Sequence, residues 1–153
     1  MNQSWNREIE LAARSVDNTG TILLVEDESF VREVTCEILQ SAGYRVRTAT
    51  NAAEAKRIFS EYGTEIDVLI TDIVLPGETG KVLAAKLRRE NPWLRVLYIT
   101  GYAQQMKTPA NRWAKLLAKP FSSEALLETV KLIFQESECQ REEDLVMPAC
   151  VGA

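Results

Sequence analysis

Residues 21–27, Thr-Ile-Leu-Leu-Val-Glu-Asp, set a short run with no charged side chain directly in front of two carboxylates. A strand that is apolar at consecutive positions, not at alternate ones, needs cover on both faces, which is the mark of a parallel sheet layered between helices. The residues that follow meet this requirement. Val31, Val34 and Ile38 recur at helical spacing, and a second β-rich run, 44–48, comes next. One βα unit is therefore readable within the first thirty residues of the body.

The alternation continues along the chain. Ala52, Ala55 and Phe59 mark a second helix, and 66–71 a third strand. A third helix begins near Gly80, with 95–100 and a short 115–118 as the last two strands. The final helix carries Leu126, Val130 and Ile133, with Ser122 as its N-cap and Phe121 packing on Leu126 as a hydrophobic staple. Between the fourth and fifth strands, 104–112 has little apolar periodicity and contains Pro109, so the helix there is expected to be short or irregular. Five such units predict an α/β fold built on a five-stranded parallel sheet.

The body spans 21–136. The 1–20 extension places Trp5, Ile9, Ala12 and Val16 on one stripe, which predicts an amphipathic helix burying Trp5 and Ile9 on the domain or, in a homodimer, on a second copy. Residues 137–153 are acidic, then small and Pro-containing, and read as a flexible tail.

Composition narrows the function. With 46% hydrophobic and 26% charged residues the chain can form a packed core. A net charge of -4 and a pI near 5.0 argue against direct DNA binding, which draws on concentrated Lys and Arg. The densest basic cluster, Lys86, Arg88 and Arg89, reads as the solvated face of a helix. Cys36, Cys139 and Cys150 have no metal-site spacing, which suits a reducing cytoplasm, and no apolar run approaches the roughly 20 residues of a membrane span. Histidine is absent, which excludes Ser-His and Cys-His nucleophiles and any phosphohistidine within the chain. Phosphate handled here must come from another molecule.

In open parallel sheets, ligands bind beyond the carboxyl ends of the strands. Those ends carry Glu26 and Asp27 after the first strand, Asp72 after the third, Thr100 at the close of the fourth and Lys119 after the fifth. Like charges about 4 Å apart repel by about 4 kcal/mol at an effective dielectric of 20, so three gathered carboxylates call for a cation. Oxygen ligands without His or Cys suit Mg²⁺ (or Mn²⁺). Lys119 offers a fixed charge to a phosphate oxygen and Thr100 a hydroxyl donor, the complement that a transferring phosphoryl group needs.

The segments 22–28 (ILLVEDE), 69–80 (LITDIVLPGETG), 98–103 (YITGYA) and 116–121 (LLAKPF) resemble the signature segments of response-regulator receiver domains. The resemblance implies a doubly wound, flavodoxin-like sheet of order 2-1-3-4-5. It implies that Asp72 is the phosphoacceptor, that Glu26, Asp27, Asp72 and the backbone carbonyl of Val74 hold Mg²⁺, and that Thr100 and Lys119 contact phosphate. The donor would be a histidine kinase or histidine phosphotransfer protein, the output an unidentified downstream protein, and the chain a switch in a phosphorelay without an output domain of its own. Two departures stand out. Leu116 occupies a place where the family often has an aromatic that reports phosphorylation. Val74 and Tyr102, flanking the phosphate, carry no amide or carboxylate to orient water, so self-dephosphorylation should be slow. Two other readings compete. A haloacid-dehalogenase-type phosphatase would want a second Asp at position 74, where Val stands; a non-phosphorylated interaction module would not need the five site residues intact.

Overall fold

The structure, a computed structural model, describes residues 20–101 and 113–152, with side chains as far as 137. In order the elements are β1 (Thr21–Val25), α1 (Ser29–Ser41), β2 (Arg45–Ala49), α2 (Ala52–Tyr62), β3 (Val68–Asp72), α3 (Gly80–Glu90), β4 (Arg95–Thr100), β5 (Ala114–Ala118) and α4 (Ser123–Gly152). All five strands pair in parallel, in the order β2-β1-β3-β4-β5. The chain reverses direction across the sheet between β1 and β3, which is where a doubly wound sheet opens a crevice.

Side-chain alternation within each strand feeds two cores. Leu23, Val25, Leu69, Val96 and Tyr98 pack with α2 and α3 through Ala55, Phe59, Leu83 and Leu87. Their neighbours Ile22, Leu24, Ile70, Leu97 and Ile99 pack on the opposite face with Leu39, Leu126, Val130 and Ile133. β1 and β4 are buried along their whole length, as two-sided cover requires. Fully burying one such side chain contributes roughly 1.5–3 kcal/mol, so these cores are what fix the strand ends in place.

The helix starts follow capping chemistry. Asn51 accepts from the Glu54 amide at 2.8 Å, Thr79 from Val82 at 3.2 Å and Ser122 from Ala125 at 3.0 Å. Phe121 packs on the cluster containing Leu126, in keeping with the staple. Gly43, at φ 102°, ends α1 in a left-handed conformation suited to a residue without Cβ.

Several expectations are corrected. β2 and β3 run one to two residues later than read, and β5 starts one earlier, because pairing with the neighbouring strand sets the ends. The buried stripe of α1 is led by Thr35 and Leu39, while Val34 is 38% exposed. Val31, Thr35, Ile38 and Leu39 lie at i, i+4, i+7 and i+8, a better helical face than one through Val34. Arg88 is not on a solvated face: its guanidinium lies 4.0 Å from the Trp113 ring centroid and donates to the Leu94 and Pro92 carbonyls. The backbone of α4 continues through Gly152, where a loose tail was expected. From Ser123 to Met147 no Gly or Pro interrupts it, and Glu, Gln, Arg and Leu favour helix there. The 104–112 segment, Tyr102 and the Trp5, Ile9, Ala12 and Val16 stripe lie outside the described residues. Among the described residues no helix is long and apolar enough to cross a membrane.

Candidate functional site

Strand register brings the five polar residues to one edge. Val25 lies opposite Thr71, Asp72 opposite Ile99 and Thr100 opposite Ala118, so the residues at or just past these ends converge. Glu26 is held there by a backbone bond from its amide to the Ala49 carbonyl at 3.0 Å, and Lys119 by one from its amide to the Thr100 carbonyl at 2.9 Å.

Glu26 is buried, at 4% exposure, yet both carboxylate oxygens are engaged: Oε1 accepts from Lys119 Nζ at 2.9 Å and Oε2 from the Glu28 amide at 3.2 Å. Burial pushes its carboxyl above the usual range, against the opposing pull of Lys119. Asp72 Oδ2 accepts from the same Lys119 Nζ at 2.8 Å, and Oδ1 from the Val74 amide at 3.0 Å. Burial pulls the Lys119 ammonium down, but the hydrogen bonds to Asp72 and Glu26 outweigh it and its pKa is raised. Lys119 thus spans the two carboxylates, linking the ends of β1, β3 and β5. The Lys119–Pro120 peptide is cis.

Asp27 completes the group. Single ligand atoms from Glu26, Asp27 and Asp72 lie within 4.8 Å of one another, with Asp27 exposed, Asp72 half-buried and Glu26 buried. With these carboxylates ionised, Lys119 leaves two negative charges unbalanced, the charge of one divalent cation. An all-oxygen set that is open on one side suits Mg²⁺, which keeps several of its waters. The donor chemistry therefore fits this ion.

The loop after Asp72 is built around that residue. Ile73 donates to the Ile99 carbonyl at 3.1 Å, and Gly80 to the Ile73 carbonyl at 2.8 Å. A Cβ placed on Gly80 would sit 2.2 Å from the Asp72 carbonyl oxygen, so only glycine lets α3 begin this close. Val74 is 60% exposed beside the acidic group, and Thr100 is almost fully buried at the end of β4. Leu116 packs against the core cluster containing Tyr98.

All five side chains singled out in the sequence thus sit at this edge, with Val74 beside them. Two features were not read from the sequence. Arg32 donates to the Glu26 carbonyl at 2.9 Å, and Glu78 accepts from both Lys56 at 2.7 Å and Lys86 at 3.2 Å. The second joins residues 22 positions apart, and no local spacing signals such a contact.

Comparison with known proteins agrees with this geometry. The family model described as "Response regulator receiver domain" matches residues 22–131. Sensor kinase CckA of Brucella abortus (strain 2308) is 36% identical over 129 residues, which is 82% of this chain and 14% of the kinase. The crystal structure of the receiver domain from the hybrid histidine kinase CckA is likewise 36% identical, with a TM-score of 0.67 over 75% of this chain and 99% of that one. Response regulator receiver protein CpdR from the same Brucella strain is 35% identical, covering 72% of this chain and 92% of CpdR. TrrA from Thermotoga maritima, crystallised in complex with Mg²⁺-BeF, is 31% identical with a TM-score of 0.65, over 74% of this chain and 98% of that one. The chain thus spans most of CpdR but about a seventh of the sensor kinase.

Proposed function

Because this chain belongs to the response regulator receiver domain family, whose members are switches of two-component signalling, we propose that Asp72 accepts a phosphoryl group from a histidine kinase or a histidine phosphotransfer protein. The observation that carries the reading is the single ammonium of Lys119 bridging Glu26 and Asp72, with Asp27 in the same acidic group. An isolated aspartate at a strand end is often no more than a turn former. One that shares its counter-ion with a buried glutamate is held in a fixed orientation.

The chemistry follows from the positions. An Asp72 carboxylate oxygen attacks the donor phosphorus, the P–N bond breaks, and its electron pair returns to the donor imidazole. The Val74 amide fixes Oδ1, so the carboxylate is oriented before the donor arrives. Lys119 Nζ, already at Asp72 Oδ2, moves onto a phosphate oxygen as charge builds there, and the Thr100 hydroxyl donates to another. Mg²⁺, held by Glu26, Asp27, Asp72 and the Val74 carbonyl, would supply charge neutralisation to the transferring group. TrrA, at 31% identity and crystallised with Mg²⁺-BeF, supports the choice of ion. The product is an acyl phosphate on Asp72, read by a downstream protein.

Intact-mass measurement after incubation with acetyl phosphate tests the proposal. One added phosphate is expected with Mg²⁺, none with EDTA, and none on Asp72→Asn. Equal labelling of the Asn variant would overturn the assignment of Asp72. Catalytic turnover of a small phosphoester would favour an aspartyl phosphatase instead.

A further inference from the structure

Loop 73–79 carries Val74 next to the acidic group, yet its two halves are held differently. The first half is tied to the sheet through Ile73 and by the burial of Ile73 and Leu75. Beyond them the backbone turns at Gly77, φ 83°, with nothing within 4 Å of where a Cβ would stand, and Pro76 is exposed. The second half is pinned at Glu78. Its Oε2 accepts from Lys56 Nζ of α2 at 2.7 Å and from Lys86 Nζ of α3 at 3.2 Å, and its Oε1 is buried without a partner. One carboxylate oxygen is thus turned inward while the side chain keeps 21% exposure, and three elements meet on the other oxygen.

We propose, on the reading of Asp72 as phosphoacceptor, that Glu78 is a positioning residue: clasped by Lys56 and Lys86, it holds loop 73–79 over Asp72 in the arrangement that phosphoryl transfer uses. The route is short. The Val74 amide in this loop donates to Asp72 Oδ1, and Gly80, two residues past Glu78, lies directly on the Asp72 carbonyl. Displacing Glu78 moves the backbone at both places. The hydrogen bond from Lys56 holds the Glu78 carboxyl below its usual range, so the clasp is charged at neutral pH. Lys56 and Lys86 are 36% and 48% exposed, and one exposed pair is weak. A loop that opens locally is governed by small free energies, so two weak pairs on one carboxylate are enough to shift it.

Hydrogen exchange of the metal-free protein reads the clasp without relying on phosphorylation. Glu78→Gln is expected to speed exchange at 74–79 by about threefold, the scale of an exposed ion-pair network, and to leave the β3 amides 69–71 unchanged. Lys56→Met should give part of the effect, and the double variant no more than Glu78→Gln alone. The rate of acyl phosphate formation at saturating Mg²⁺ and acetyl phosphate should fall by about the same factor. At about 1 M salt, where the Debye length is near 3 Å, the wild-type rate should drop toward that of Glu78→Gln, which should barely respond. Unchanged loop exchange overturns the clasp, as does a parallel rise at 69–71, which would mean general destabilisation. Faster loop exchange with an unaltered loading rate overturns the positioning role. If wild type takes no phosphate while the variant's loop exchange rises, the phosphoacceptor reading fails, the positioning role falls with it, and the clasp alone stands.

Discussion

Replacing Lys119 by Met should have opposite effects on stability and on metal affinity. Its Nζ sits 2.9 Å from Glu26 Oε1 and 2.8 Å from Asp72 Oδ2, and the three side chains are 24%, 5% and 12% exposed. Removing one partner of a largely buried pair costs about 3–5 kcal/mol, because the remaining charge is stranded. Lys119 keeps some exposure, so a loss near the lower end, about 3 kcal/mol, is expected in EDTA at neutral pH. For a chain of this size that is a fall in Tm of roughly 6–12 °C. The deficit should also depend on pH. Burial already raises the Glu26 carboxyl above its reference of 4.5, and without Lys119 that effect is unopposed. An acid with a raised folded pKa binds more protons folded than unfolded, so stability falls as pH rises from about 4.5 through the folded value. The variant's deficit should therefore shrink on acidification toward pH 5 and be full near pH 7.5. Mg²⁺ should act the other way. In wild type a bound ion would compete with the ammonium for the same oxygens, and in the variant it would not. Melts with increasing Mg²⁺ should give the variant a lower Kd, by about fivefold for each 1 kcal/mol of competition removed. Equal stability of the two proteins in EDTA, or weaker Mg²⁺ stabilisation of the variant, would refute this account of Lys119 as the counter-ion of the metal-free site.

Two further substitutions test how the site is supported. Gly80→Ala should cost about 3 kcal/mol in urea denaturation, since its Cβ would meet the Asp72 carbonyl oxygen at 2.2 Å and α3 would have to retreat. Arg88→Ala should cost about 1–2 kcal/mol through the lost Trp113 stacking and the two carbonyl bonds that fix the turn before β4, whereas Arg89→Ala, on an exposed side chain, should be nearly silent.

The fold was legible because its strands are buried on two sides. The apolar stretches 22–25 and 96–99 have few readings other than central parallel strands, and the strands that contain them, Thr21–Val25 and Arg95–Thr100, occupy the residues expected. β2, an edge strand with Arg45 and Arg47, has no such run, and its limits are set by pairing with β1. The site was legible for a related reason: the rule about carboxyl ends needs the strand ends, not atomic detail. What was not legible depends on contacts distant in sequence. Val34 and Thr35 differ by one step on α1, and only the packed neighbours decide which faces the sheet. Arg88 looked like a surface charge until Trp113, 25 residues later, came to lie under it. Glu78 lies within the segment 69–80 with nothing nearby in sequence to show that Lys56 and Lys86 reach it. Charged residues keep their solvent option in any sequence reading, so their partners appear only in three dimensions.

Val74 offers a last test, because its side chain bears on how long the proposed acyl phosphate survives. It is two residues past Asp72, its amide is bonded to the Asp72 carboxylate, and its side chain is 60% exposed. A water approaching the phosphorus from solvent would pass a branched hydrocarbon there. Hydrolysis gains when a side chain accepts a hydrogen bond from the attacking water and holds it in line, and Val can do neither. Val74→Asn introduces an amide at an exposed position without removing a buried group, so stability should change by under about 0.5 kcal/mol. Loss of phosphate should quicken by on the order of tenfold, below the 10²-fold or more supplied by a full general base, since an amide orients water without taking its proton. The decay of phosphorylated protein, followed by intact mass after removal of acetyl phosphate, measures this directly. Slower or unchanged decay in Val74→Asn, with Mg²⁺ binding intact, would mean that water reaches the phosphoryl group by a path that avoids residue 74.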